Sequence, residues 1–220
     1  MAFSEDWDNR YKENTHMSVW PWSDLISYVY RHIKPINTNL NILELGCGAG
    51  ANINFFKQLG SNYFAIDGSK TIIDLLHNKF PEYKNSIVVG DFTKEIPFNI
   101  QFDVIVDRAA ITHNNTTDIK NTISLISNNL KSQGKFIGID WFSTMNSHYK
   151  LGDTVDRYTK KNINTDAFIG TGNVHFSNKQ HLIKLFTDFN ITIMEHKKIT
   201  TKIPKTNKIF ATWNFVAIKK

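Results

Sequence analysis

Short apolar runs that stop at an acid or a glycine recur along this chain, and segments of helical period separate them. "NILELG" closes on Gly46, "ANINFFKQLG" has helical spacing with a glycine stop, and "YFAID" is again an apolar run. "SKTIIDLLHNKF" reads as a helix that Ser69 can cap and Pro81 ends. "SIVVGD", "FDVIVD" and "GKFIGIDWFS" repeat the run, with the helical "TDIKNTISLISNNLKSQG" between the last two. Strands and helices in alternation demand a mainly parallel sheet buried under helices on both faces, so the fold class is α/β. The end of the chain departs from this rhythm. "NITIMEHKKIT" and "IFATWNFVAIKK" have no helix between them and are expected to pair antiparallel at the sheet edge.

At 220 residues with 41% hydrophobic content the chain fits one domain with a sizeable core, residues 1–220. No apolar run approaches the length of a membrane span, and "MAFSEDWDNRYKEN" is too polar for a signal peptide, so a soluble cytoplasmic protein is expected. A single cysteine, Cys47, excludes an intrachain disulfide framework and a cysteine-based zinc site. The net charge of +6 is unevenly spread: residues 1–110 carry 10 Lys+Arg against 13 Asp+Glu, and residues 111–220 carry 16 against 7. The later half can draw an anionic partner to one side of the molecule. No dense basic stripe with interleaved aromatics is present, which argues against nucleic acid.

In an open parallel sheet, ligands bind beyond the carboxyl ends of the strands, where strand order reverses. Glu44, Asp67, Asp91, Asp107 and Asp140 each lie at or near such an end, so one rim is expected to collect five carboxylates. Gly46, Gly48 and Gly50 allow a sharp turn from strand to helix and let backbone N–H groups approach a ligand. Asp67 stands 21 residues beyond Gly46, a spacing suited to ribose hydroxyls. Gly46, Gly48 and Ala51 also satisfy G-x-G-x-x-G/A, so an NAD-dependent oxidoreductase is the competing reading. Against it, Glu44 beside the turn would oppose a pyrophosphate and favour an ammonium.

"ILELGCGAG", "YFAIDGS", "VVGDF" and "FDVIVDRAAITH" resemble, in order and spacing, motifs I to IV of class I S-adenosylmethionine-dependent methyltransferases. The resemblance covers about residues 40–140. It implies a Rossmann-like seven-stranded, mainly parallel sheet with helices on both faces and an antiparallel C-terminal edge hairpin. It also implies that Gly46, Cys47, Gly48 and Gly50 cradle the methionine part of the cofactor, with Glu44 orienting the loop or the amine. Asp67, with Gly68 and Ser69, would bind the ribose, and Asp91 and Phe92 the adenine. Tyr11 would join the cofactor site, and Asp107, followed by Arg108, would sit beside the sulfonium methyl.

His113, six residues beyond Asp107, is the candidate general base for a hydroxyl acceptor, with His148 and His175 as weaker candidates. Asp107, Asp140 and His113 could together hold a divalent cation, Mg²⁺ or Mn²⁺. Trp7, Tyr11, Trp20 and Trp22 make residues 1–38 an aromatic helical cover, with Ser23 or Asp24 capping its second helix, and Arg10 could help close it. Residues 143–173 form an acceptor-side insert whose Lys150, Arg157, Lys160 and Lys161 could meet a phosphate. The [DN]PP[YF] signature of nucleic-acid amino-methyltransferases is replaced by "DRAA".

The opening "WDxRY" and "DRAAITHN" resemble methyltransferases encoded among bacterial surface-polysaccharide genes. The expected reaction is therefore O-methylation of a small anionic acceptor, such as a nucleotide-linked or phosphorylated sugar in capsule or surface glycan synthesis. The alternatives are N-methylation of a small amine or protein residue, and a non-catalytic partner subunit.

Overall fold

The computed structural model describes residues 5–35 and 39–220. Of the expected cover, residues 1–4 and 36–38 lie outside the described residues. In chain order the helices and strands are α1 (Glu5–Lys12), α2 (Ser23–His32), β1 (Asn41–Leu45), α3 (Ile53–Gln58), β2 (Asn62–Asp67), α4 (Lys70–Lys79) and β3 (Ile87–Val89). They continue as β4 (Phe102–Arg108), α5 (Thr116–Asn129), β5 (Leu130–Phe142), β6 (Asp153–Thr154), β7 (Thr159–Lys161), β8 (Val174–His175), α6 (Lys179–Leu185), β9 (Phe189–Thr200) and β10 (Ile209–Lys219).

Seven strands form one sheet in the order β3-β2-β1-β4-β5-β10-β9. β1 to β5 pair in parallel, and β10 runs antiparallel to both of its neighbours. The C-terminal hairpin is as expected: β10 reaches back between β5 and β9, leaving β9 at the edge. Strand order reverses between β1 and β4, so their C-terminal ends diverge and open a crevice.

The side-chain period of two sorts the strand residues between two cores. Ile42, Val104, Ile137 and Val216 face α2, α3 and α4, packing with Tyr28, Phe56 and Leu76. Leu43, Ile105, Phe136 and Phe215 face α5 and α6, packing with Ile123 and Phe186. Near the end of β5 the alternation breaks. Asp140 adopts φ +56°, opposite a register shift between Trp213 and Phe215 of β10, and Trp141 joins Phe136 on the α5 side. A non-glycine residue in the left-handed region at a strand end is strained, and the strain falls at the rim of the crevice.

Local capping follows the sequence in part. Ser69 caps α4 by accepting from Ile72 N, and Asn115 caps α5 by accepting from Thr117 N and Asp118 N. At α2 the expectation fails: Trp22 is the cap residue, and no side chain caps the helix. Asp24 instead accepts from Lys197 and Asn214, tying α2 to β9 and β10. The insert after β5 is an ordered lobe. β6, β7 and β8 form a small antiparallel sheet over a separate cluster containing Phe142, Phe168, Val174 and Phe176. Among the described residues, no helix is long and apolar enough to cross a membrane.

Candidate functional site

A cavity of about 330 Å³ opens at the strand-order reversal, between the loops that follow β1 and β4. One end is built from the β1 loop. Gly46 has φ +71°, and a Cβ there would lie 2.2 Å from the Ala110 Cβ; a Cβ on Gly48, φ +51°, would come within 3.0 Å of the Tyr11 hydroxyl. Glycine is required at Gly46 by both conformation and space. Asp67 binds the loop from β2, accepting from Gly48 N at 2.9 Å and from Ser69 N at 3.0 Å. Burial raises its pKa, and the two backbone donors oppose that rise.

Glu44 is buried beneath the loop, accepting from Asn52 Nδ2 at 2.7 Å and from the Tyr63 hydroxyl at 2.5 Å. Burial pushes its pKa up to about 7, against the pull of both donors. Asn52 also accepts from Trp22 N, so one amide couples the acid to the N-terminal cover. Nothing in the sequence pattern singled out Asn52; only its place one turn after the glycines could have. Asp91 accepts from Thr93 N and Thr93 Oγ1, and with Phe92 it lines the cavity near Gly90. Cys47 lines the cavity too, its thiol pushed well up by burial and by Asp67 and Glu44, which suits packing and disfavours nucleophilic attack.

The other end is aromatic, with Trp7, Trp22, Phe142, Phe168 and Phe210 around Arg108 and His113. The Arg108 guanidinium lies 3.5 Å from the centroid of the Trp22 ring and 3.2 Å from Asp140 Oδ2. Its buried Nε has no hydrogen-bond partner among the described residues, although burial lowers its pKa. His113 Nδ1 lies 3.0 Å from the Asn173 carbonyl. A carbonyl only accepts, so Nδ1 carries the proton and Nε2 of the neutral ring keeps a lone pair. Burial lowers the His113 pKa to about 4, with the backbone carbonyls of Asn173 and Thr171 opposing the shift. The imidazole is therefore neutral throughout the physiological range.

α1 roofs the cavity. Tyr11 is buried over the glycine loop, and the Trp7 ring meets His113 edge-on at 4.9 Å. Asp8 accepts from Ser69 Oγ and Thr71 N, fastening α1 to α4, and Arg10 donates to the carbonyls of Ile169 and Gly170 in the insert.

Twelve of the expected residues meet in this cavity: Tyr11, Glu44, Gly46, Cys47, Gly48, Asp67, Gly68, Asp91, Phe92, Arg108, His113 and Asp140. Others do not. Asp107 lies on the α5 side of the sheet, fully buried, accepting from Ala110 N, Ile111 N and Trp141 Nε1. It braces the turn that carries His113 instead of lining the cavity, and burial raises its pKa to about 7. Gly50, φ +77°, gives way to Ile53 and Leu76 rather than to a ligand, and Ser69 is spent on the α4 cap and Asp8.

The expected divalent-cation site is corrected as well. Asp140 is paired with Arg108 and Lys197, two cations that oppose a third, while Asp107 points away. Among the described residues no group of three or more His, Cys, Asp or Glu side chains is arranged to hold a metal. His148 bonds Asn146 and Asp166, His175 bonds Thr159 and His181, and neither lines the cavity. Lys150, Arg157 and Lys160 also lie outside it, around a separate depression on the insert. Phe142, Phe168 and Phe210, which the sequence reading missed, come from the end of β5, the insert and β10. No local pattern marks them.

Residues 42–134 match the methyltransferase domain family. Over 85 residues, 39% of this chain, the sequence is 31% identical to the cypemycin N-terminal methyltransferase of a Streptomyces species; the match spans about a third of that protein, 34% of its length. A 1,6-didemethyltoxoflavin-N1-methyltransferase of Burkholderia thailandensis, solved with bound 1,6-didemethyltoxoflavin and S-adenosylhomocysteine, superposes with a TM-score of 0.66 at 14% identity, covering 98% of this chain and 86% of that one. An S-adenosylmethionine-dependent methyltransferase of Clostridium acetobutylicum gives 0.61 at 19% identity, covering 98% and 96%. The seven-stranded sheet with its reversed strand β10 beside the edge is thus a known architecture, and the chain has the fold of the class I S-adenosylmethionine-dependent methyltransferases.

Proposed function

We propose that this chain transfers a methyl group from S-adenosylmethionine to an oxygen of a small anionic acceptor. The observation that carries the reading is the two-ended cavity: a glycine cradle with acids at one end, and Arg108 with two histidines, His113 and His16, among aromatics at the other. The cradle fits the cofactor because added side-chain atoms would fill it, as the 2.2 Å approach at Gly46 illustrates. Gly46, Cys47, Gly48 and Gly68 would border the methionine part, and Glu44 would orient the loop through Asn52. Asp67 offers about four acceptor sites, and the N–H groups of Gly48 and Ser69 leave it capacity for ribose hydroxyls. Asp91 and Phe92 would take the adenine edge and face. The bound cofactor supplies an electrophilic methyl on a sulfonium, and the chain supplies placement. Tyr11 over the glycine loop and Trp7 against His113 would keep water from the two ends, and alignment of the acceptor in line would provide much of the acceleration.

Arg108 would face the acceptor's negative group, its guanidinium plane fixed by the Trp22 ring and Asp140. His113, with its Nδ1 proton held by Asn173, would receive the acceptor hydroxyl proton at Nε2. A nucleotide-linked or phosphorylated sugar, as used in capsule or surface glycan synthesis, suits aromatic walls and a single cation. A second reading, N-methylation of a small amine or of a peptide N-terminus, is favoured by the names of the Streptomyces and Burkholderia relatives. The test is transfer of labelled methyl to nucleotide sugars and sugar phosphates beside amines and peptides, with and without EDTA. Label in a sugar, unchanged by EDTA, is the expected result. Label in amines alone selects the second reading. Failure to bind S-adenosylhomocysteine overturns both, and binding without transfer to any class points to a non-catalytic subunit.

A further inference from the structure

The insert carries a second concave site, separate from the methyl-transfer cavity. Thr144, Tyr149, Lys150, Arg157, Lys160 and Asn178 line it together with Tyr158, and the two cavities share no residue. Lys150, Arg157 and Lys160 form no ion pair among the described residues. The two acids of the same segment are engaged elsewhere: Asp153 accepts from Asn162, and Asp156 accepts from Thr116 N, Tyr158 N, Thr159 N and Thr159 Oγ1.

Two of the cations lie beside aromatic rings, and Lys160 Nζ also donates to Thr154 Oγ1 at 2.7 Å. Arg157 lies 5.3 Å from the Tyr158 ring centroid and Lys160 Nζ lies 5.7 Å from that of Tyr149, while the Tyr149 hydroxyl donates to the Arg157 carbonyl at 2.7 Å. Beneath them runs a directed chain of hydrogen bonds. Thr159 Oγ1 donates to Asp156 and must accept from His175 Nδ1, which leaves His175 Nε2 as the acceptor for His181 Nε2–H at 3.1 Å. Tyr158 stacks on His181 at 3.6 Å. Two buried histidines, a threonine and an aspartate thus fix the turn whose outward residue is Arg157. With both acids of the segment engaged elsewhere, three cations from separate positions of the insert face one depression without a carboxylate among its lining residues.

We propose that this depression binds a phosphate or diphosphate group of a small molecule, at a site distinct from the one that takes the cofactor and acceptor. The proposal is independent of the acceptor assignment, because none of its residues lines the methyl-transfer cavity. Calorimetric titration of the full chain, saturated with S-adenosylhomocysteine, with pyrophosphate and separately with inorganic phosphate tests it. Saturable binding with a Kd below about 1 mM is expected for one or both, weakened at least tenfold in the Lys150→Ala/Arg157→Ala/Lys160→Ala variant. The affinity of that variant for S-adenosylhomocysteine should be unchanged. Arg157→Lys keeps the charge but loses the planar fork, and should weaken the diphosphate more than the monophosphate. No saturable binding, equal binding by the triple variant, or displacement by chloride at matched ionic strength each overturns the proposal.

Discussion

The two ends of the cavity are held by different means. At the glycine end the binding groups come from consecutive loops of β1, β2 and β3, and backbone N–H groups within a few residues steady their acids: Gly48 and Ser69 on Asp67, Thr93 on Asp91. At the aromatic end the groups are gathered from across the chain. His113 leans on Asn173, Arg108 on Trp22 and Asp140, and Phe142, Phe168 and Phe210 arrive from three segments. Local order made of short backbone contacts is legible and stiff. Order made of distant side chains is not legible in that way, and under the proposed function acceptor specificity would belong there.

The harshest way to break the comparison is Gly46→Ala. The new Cβ would overlap Ala110 and force an alanine to φ +71°, so S-adenosylhomocysteine binding should be lost. Strain of about 1–3 kcal/mol should also lower the thermal midpoint by several degrees. Normal binding by this variant would mean that the loop is not the close-fitting cradle described. Next in size is His113→Ala. If the acceptor is a hydroxyl, kcat should fall by about 10²–10⁴ with cofactor affinity intact, whereas an amine acceptor should lose far less. The rate carried by His113 should show no limb near pH 6.5, because the ring titrates near pH 4. A limb at pH 6–7 that vanishes in the variant would contradict the neutral ring held by Asn173.

Glu44 sharpens the comparison through stability. Its pKa rises from an ordinary 4.5 to about 7 in the folded chain, so folding favours the protonated acid. That contribution is complete below about pH 4.5 and is lost as pH rises through about 7; the full span corresponds to roughly 3 kcal/mol at most. Asp107, also pushed up to about 7 by burial, acts in the same direction. The thermal midpoint of the wild type should therefore rise as pH is lowered from 8 to 6, and Glu44→Gln should flatten part of that slope. Equal slopes in the two proteins would remove Glu44 as a buried titrating group. Arg108→Met is smaller still: losing a charged hydrogen bond to acceptor, worth about 1.5–3 kcal/mol, should raise KM at least tenfold without changing cofactor affinity.

The same division explains what could be read in advance. The sheet, its reversed strand and the α4 cap were legible because apolar runs, glycines and Ser69 act on their near neighbours. The rim of acids was legible for four of its five members. Asp107 failed because strand parity turns it to the α5 side, where Trp141 meets it only after the left-handed Asp140 breaks the alternation. No spacing rule anticipates that reversal. It also removes the cation site, since Asp140 then meets Arg108 and Lys197. Likewise Lys150, Arg157 and Lys160 follow β5 in sequence and so read as acceptor-side cations, yet the fold of β6 to β8 sets them around a different depression, and Lys161 lines neither cavity.

The smallest expected effect probes the seam between the two ends. Arg10, on the helix that covers the cofactor end, donates to the carbonyls of Ile169 and Gly170, which belong to the insert at the acceptor end. The contact is exposed, so its loss should scarcely alter the thermal midpoint. Asp8 still anchors α1 to α4 in an Arg10→Ala variant, which leaves the cofactor end fastened. What the substitution frees is the link between roof and insert. Dissociation of S-adenosylhomocysteine, followed by stopped flow, should therefore quicken by no more than about tenfold, with association nearly unchanged. Gly170→Ala should do the same from the other side, since its Cβ would lie 2.1 Å from the Arg10 guanidinium. If neither variant changes the dissociation rate, the two ends are held independently and the roof belongs to the cofactor end alone.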